Sequence, residues 1–257
     1  MNPTIITVAN NKGGVGKTVT ATNLSDGLAR YFNKSVLLVD LDPQGQCASA
    51  LGQPQSSGVY SLLTMPVDGS ASAYVRQFVQ TARPSLDLLP GDRQTALAQA
   101  VLNHPEAPKP VGWIREALLQ HFSRYDYIIL DTAPSLGGIQ ERALFAADRI
   151  ILPSPAEALG ADGLRQAFET IKRIKEDKGW KGNLAGILPT FFTDRQREHR
   201  LNLEMLQKKF GGYVLAPIHR AAILAECPAY AQTIFERSPH SKSADEYLLL
   251  AKTILKG

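Results

Sequence analysis

Three glycines, Gly13, Gly14 and Gly16, crowd the short segment between an apolar, β-branched run at Thr4–Ala9 and a helical pattern that begins at Lys17. A strand that breaks at a glycine-rich turn and resumes as a helix constrains this fold more than any other feature of the chain. The helical pattern runs to Phe32, with Leu24, Leu28 and Tyr31–Phe32 at helical spacing. Ser35–Asp40 follows as a continuous apolar run ending in an aspartate, the pattern of a strand buried on both faces of a parallel sheet. Strand, loop, helix and strand in this order make the crossover that parallel pairing needs.

The alternation continues. Leu86–Leu89 reads as a strand closed by Pro90-Gly91, and Val111–Phe122 as a helix feeding the strand Tyr127–Leu130. Ile139–Ala147 feeds Arg149–Leu152, Leu164–Lys178 feeds Leu184–Leu188, and Arg197–Phe210 feeds Tyr213–Leu215. Ala244–Lys256 reads as a closing helix. Such alternation predicts a doubly wound α/β fold with a mostly parallel sheet flanked by helices, spanning residues 1–257 as a single domain. Gly52–Pro84 is less periodic and rich in Ser, Gly, Pro and Gln, and His104–Pro110 holds three prolines; both are expected to be surface excursions.

Composition narrows the function classes. No apolar run approaches the roughly 20 residues of a spanning helix, and the N-terminal residues lack the basic region and cleavage site of a signal peptide. The two cysteines, Cys47 and Cys227, lie far apart without metal-ligand spacing, so idle buried thiols in a reducing cytoplasm are expected. Net charge is +4, but Arg165–Arg220 alone holds 12 Lys/Arg against 6 Asp/Glu. Basic character therefore belongs to the last third, as a phosphate-attracting face or as solvated helix surface.

The residues Gly16-Lys17-Thr18 fit the end of the pattern Gly-x-x-x-x-Gly-Lys-Ser/Thr, although Asn11 occupies its first glycine position. Small residues let backbone N–H groups converge on phosphate oxygens, and the helix N-terminus adds partial positive charge. In that pattern Lys17 reaches the β- and γ-phosphates and the Thr18 hydroxyl ligates Mg²⁺. Metal-holding and water-orienting carboxylates should then stand at the ends of neighbouring strands. Asp40-Leu41-Asp42-Pro43-Gln44 ends one strand and Asp131-Thr132-Ala133-Pro134-Ser135 another. Asp131 suits the metal, and Asp42 with Gln44 suits the attacking water; for Asp40 a structural and a functional reading stand level.

The whole heptad Lys12-Gly13-Gly14-Val15-Gly16-Lys17-Thr18 resembles the deviant phosphate loop of the ParA/MinD ATPases. The resemblance implies an ATP-dependent homodimer in which Lys12 crosses to the partner's nucleotide. It also implies Asp42 as the catalytic aspartate and a metal group of Thr18, Asp131 and Asp42. The nucleotide would be held by Asn11–Val19 together with Pro217 and His219, and Gly186–Phe192 resembles the family strand leading towards the adenine pocket. Ala216-Pro217-Ile218-His219-Arg220 with Leu224-Ala225-Glu226-Cys227-Pro228 is similar to a segment that separates ParA from MinD. The loop starts at residue 11, so the likeness is to small ParA proteins without an N-terminal helix-turn-helix.

For that class the resemblance implies slow ATP hydrolysis, non-specific DNA binding by the ATP dimer, and release by a ParB-like partner. The setting implied is a cytoplasmic protein, nucleoid-associated when ATP-bound. Arg195 falls at a family DNA position, with Arg197, Arg200 and Arg220 as further candidates beside Lys208 and Lys209. Ile223 departs from the family, where arginine is typical. Three other readings compete. A MinD-like membrane protein would need a basic amphipathic C-terminal helix, yet Asp245 and Glu246 oppose anionic lipid. A metabolic enzyme on this scaffold would need cluster cysteines or a small substrate. An ATPase positioning some other cargo would differ only in its partner.

Overall fold

The computed structural model describes residues 2–106, 108–134, 138–158 and 161–256, with only the backbone given for 158, 161–163 and 165–167. Ser135 of the expected second carboxylate loop and the Arg165 side chain lie outside the described residues. The strands are β1 Thr4–Val8, β2 Val36–Asp40, β3 Gln80–Arg83, β4 Leu86–Leu89, β5 Tyr127–Asp131, β6 Arg149–Pro155 and β7 Asn183–Thr190. The first seven helices are α1 Lys17–Phe32, α2 Gln46–Leu51, α3 Gly58–Thr64, α4 Ser72–Arg76, α5 Gln94–Leu102, α6 Trp113–Phe122 and α7 Gly138–Ala146. Then come α8 Ala161–Lys178, α9 Arg197–Phe210, α10 Ala222–Glu226, α11 Ile234–Arg237 and α12 Lys242–Lys256.

Among the described residues the strands form one seven-stranded sheet in the order β3-β4-β2-β5-β1-β6-β7. Every pairing is parallel except β3 with β4. The mostly parallel doubly wound sheet expected from the alternation is therefore present. β5 fills the gap between β1 and β2, so the loops after β1, β2 and β5 gather at one crevice, where such sheets place ligands. The register sets Asp131 beside both Asp40 and Val8, which brings the two strand-end aspartates together.

Alternation along each strand divides the core. Ile5, Leu37, Val39, Ile128 and Leu130 face α3, α5, α6 and α7. Ile6, Val8, Leu38, Ile129 and Leu188 face the layer of α1, α2, α11 and α12. The apolar side of α12, Tyr247, Leu250, Ala251 and Ile254, is buried in that second layer, which opposes the membrane-anchor reading of this helix. Among the described residues no helix is long and apolar enough to cross a membrane.

Two expectations fail. Gly52–Pro84 is no surface excursion: it contributes α3, α4 and the antiparallel edge strand β3, and Val59, Leu62, Leu63 and Val75 have no exposed surface. Val59, Leu62 and Leu63 do repeat at helical spacing, but over so short a helix that the pattern is hard to distinguish from chance. Replacing Leu62 with Ala should therefore cost about 2–5 kcal/mol in urea unfolding, whereas a surface excursion would lose almost nothing. Tyr213–Leu215 is not a strand either. Gly211–Tyr213 forms a 3₁₀ turn, with Gly211 at φ 51°, and only an isolated bridge joins Val214 to Ile187. Pro217 follows at once and has no N–H to extend a ladder. His104–Pro110 forms no helix or strand among its described residues, as its prolines require.

Candidate functional site

The loop between β1 and α1 is shaped by residues on both sides of it. Gly16 caps α1 in the left-handed region, φ 90°, where a side chain would be strained. The Thr190 hydroxyl, at the end of β7, donates to the Val15 carbonyl at 3.0 Å. Asn10 stiffens the near side: its amide donates to the Pro153 carbonyl at 2.7 Å and its oxygen accepts the Lys12 N–H at 3.0 Å. The Asn11 side-chain oxygen accepts a 3.1 Å bond from Gln140, while its amide nitrogen is buried without a partner. Lys17 is only 7% exposed, and its ammonium curls back to the Lys12 carbonyl at 2.8 Å. Burial pulls the Lys17 pKa down, against the opposing pull of Asp131 and Asp42. Lys12 itself is exposed.

The carboxylates divide by role. Asp40 spends both oxygens on backbone N–H groups, those of Asp42 at 3.2 Å and Cys47 at 2.8 Å. It frames the turn after β2, so the structural reading wins for this residue. Close packing reinforces the frame, because a Cβ on Gly91 would lie 2.2 Å from the Asp40 carbonyl oxygen. Asp42, half-buried, accepts the Gln44 N–H at 2.9 Å, and Gln44 is exposed. Asp131 is fully buried; one oxygen accepts the Thr18 hydroxyl at 2.7 Å and lies 3.3 Å from the Cys47 sulfur. Its other oxygen has no partner. Burial pushes the Asp131 carboxyl up to about 6, while the Thr18 and Cys47 bonds oppose the rise. An orphaned buried carboxylate oxygen beside a threonine hydroxyl suits a hard divalent cation, which takes oxygen donors. Thr18 and Asp131 thus fit Mg²⁺, with Asp42 on the facing loop.

Cys47 is buried as expected but not idle, since its thiol touches the carboxylate that fits the metal. Spacing gave no hint of this contact. Asn10 was likewise invisible, because an asparagine after a strand is ordinary.

Beside the cradle lies a largely apolar cavity of about 400 Å³, walled by Val19, Phe191, Ile218, His219, Leu224 and Tyr247 among others. His219 is in place for a bound base, whereas Pro217 is not among the lining residues. Phe191 enters the wall from a left-handed backbone, φ 52°. Arg220 also lines the cavity and pairs with Glu157 at 2.9 Å, so it is less free to meet DNA than the sequence implies. Arg195, Arg197 and Arg200 are exposed around the start of α9. Ile223 is half-buried against the core, so an apolar contact stands where the family's arginine would be.

A glycine cradle at a helix N-terminus, a buried lysine, and a threonine–aspartate pair at the crevice of a parallel sheet define a phosphate-loop ATPase. A family model described as an AAA domain matches residues 3–184. The chain is 34% identical over 252 residues to the sporulation initiation inhibitor protein Soj of Bacillus subtilis, covering 97% of each chain. It is 35% identical over 252 residues to the chromosome-partitioning ATPase Soj of Thermus thermophilus, covering 97% of this chain and 94% of the relative. The solved structure of cobyrinic acid a,c-diamide synthase from Mycobacterium smegmatis with bound ADP and magnesium is similar at a TM-score of 0.81. It is 28% identical and covers 99% of this chain and 94% of its own. The chain belongs to the ParA/Soj family of partition ATPases.

Proposed function

We propose that this ATPase partitions or positions DNA by an ATP-driven cycle of dimerisation, non-specific DNA binding and partner-stimulated hydrolysis. ATP and Mg²⁺ are its cofactors. The observation that carries the reading is the convergence of Lys17, the Thr18–Asp131 pair and Asp42 on one cradle beside an apolar cavity. The cavity would take the base, and Gly13–Thr18 would hold the phosphates, with Lys17 released from the Lys12 carbonyl to meet them. Thr18 and Asp131 would hold Mg²⁺, which would supply positive charge to offset that of the phosphates. Asp42 and Gln44 orient the attacking water. Phosphoryl transfer asks mainly for such positioning, so no strong base is needed. Lys12, exposed on the loop, is free to reach a second copy's nucleotide.

In this reading the whole chain acts as one ATPase domain, cytoplasmic and nucleoid-associated when ATP-bound. Arg195, Arg197 and Arg200 supply DNA phosphate contacts, and a ParB-like partner triggers hydrolysis. With Ile223 apolar, the salt dependence is expected to be shallower by about one phosphate contact than with arginine there.

The test is binding to non-specific duplex DNA at fixed low salt without nucleotide, with ADP, and with ATP plus Mg²⁺. Binding with ATP alone is expected. A chain that binds ATP and dimerises but ignores DNA in every state overturns the DNA reading. ATP turnover that depends on a small substrate would move the protein to the ligase-like enzymes.

A further inference from the structure

A knot of charged side chains joins the base cavity to the loop before α9, and His219 is its centre. The His219 ring lines the cavity. Its backbone N–H donates to Glu246 at 3.0 Å, and Nδ1 lies 2.6 Å from the other Glu246 oxygen. On the far side Nε2 lies 3.0 Å from Asp194 Oδ2. Ionised carboxylates only accept, so both ring bonds form together only when both nitrogens carry protons. Lys242 closes the knot, 3.5 Å from Asp194 and 4.0 Å from Glu246. Exposure is graded outward: the Glu246 side chain is 11% exposed, His219 19% and Asp194 68%.

The outer end of this chain of bonds is the basic loop. Asp194 immediately precedes Arg195, and its carbonyl accepts the Arg200 guanidinium. The Thr193 N–H donates to His199 on the first turn of α9 at 3.2 Å. Phe192 packs edge-on against His219, with centroids 5.1 Å apart, and carries the same contact through the core. Five residues therefore separate the cavity wall at Phe191 from Arg195, counting both ends, and His219 bridges the interval from the side.

The geometry points to His219 as a positioning residue that couples occupancy of the base cavity to the conformation of the loop carrying Arg195. A base packed against the imidazole restricts the ring, and a restricted ring holds Asp194 through the 3.0 Å contact at Nε2. With the cavity empty the ring is less confined, and the loop is fastened less firmly. ATP thus orders the arginine loop without touching it, by ordering a shared neighbour. The use of that loop for DNA rests on the reading above; the coupling itself does not.

Amide hydrogen exchange of the full chain, with and without a non-hydrolysable ATP analogue and Mg²⁺, tests it. In the wild type the nucleotide should slow exchange in the phosphate loop and, by about fivefold or more, in residues 193–200. In His219→Ala, with the analogue raised until the phosphate loop is protected as in the wild type, the effect at 193–200 should disappear, and His219→Gln, which keeps one donor group, should recover part of it. Loss of general stability would not produce this nucleotide-dependent difference. If His219→Ala fails to take up the analogue, Asp194→Ala carries the test, since its side chain is outside the cavity wall; it should lose the same protection with nucleotide bound. A nucleotide effect at 193–200 that survives both substitutions, or that is missing from the nucleotide-bound wild type, overturns the coupling. A wild type whose loop is protected by ATP yet ignores DNA upholds the coupling and overturns the DNA reading instead.

Discussion

Replacing Lys17 with Ala is expected to remove MgATP binding while leaving the nucleotide-free chain at least as heat-resistant as the wild type. The ammonium is buried, held by one carbonyl, and its pKa lies below the usual lysine value because desolvation outweighs the attraction of Asp131 and Asp42. In the empty protein this charge is therefore a net cost to the fold. The unfolded chain binds more protons than the folded one between the lowered pKa and the ordinary value of 10.5. Wild-type stability should accordingly gain from this group as pH rises through that window, and the alanine variant should lack the gain.

Phosphate changes the balance, because the buried cation then faces an anion. Removing one partner of a buried charge pair costs about 2–5 kcal/mol, or roughly 30-fold to several thousand-fold in Kd. Thermal unfolding with and without MgATP reads both effects at once. The wild type should gain Tm with ATP through linkage, and the variant should gain none at the same concentration. An alanine variant that still gains Tm with ATP would remove Lys17 from the phosphate site.

The elements that position this site were legible because they are long or punctuated. The apolar spacing of α1 and the glycines before it set its limits at Lys17 and Phe32, and α9 was bounded as clearly at Arg197 and Phe210. Asp131 was legible as a carboxylate after an apolar run. What escaped depends on contacts distant in sequence. Cys47 meets Asp131 across 84 residues, and His219 meets Asp194 and Glu246 across 25 and 27. No local period encodes such pairs. Asp42 was legible as the water-orienting aspartate, but Asp40 stood level between a structural and a functional reading, because a strand-end aspartate suits either. Only the bonds from the Asp42 and Cys47 N–H groups to Asp40 show which aspartate holds the turn and which is left to face the cradle.

That division predicts the second large effect. Asp42→Ala should leave ATP affinity nearly unchanged and lower kcat by about 10²-fold or more, since a group that orients the attacking water acts mainly in the transition state. The Asp42 side chain is half-buried and, among the described hydrogen bonds, accepts only the Gln44 N–H, so its removal costs the fold little and the loss should not reflect unfolding. With hydrolysis blocked and ATP retained, the ATP-bound dimer should accumulate, visible as a doubled mass in light scattering that persists long after the wild-type dimer has decayed. Asp40→Ala makes the contrast. It removes two backbone anchors and should loosen the whole turn, lowering stability and activity together. Turnover in Asp42→Ala within about twofold of wild type would take the catalytic role from Asp42. A slow, stable variant that never dimerises would keep that role but detach hydrolysis from the dimer cycle.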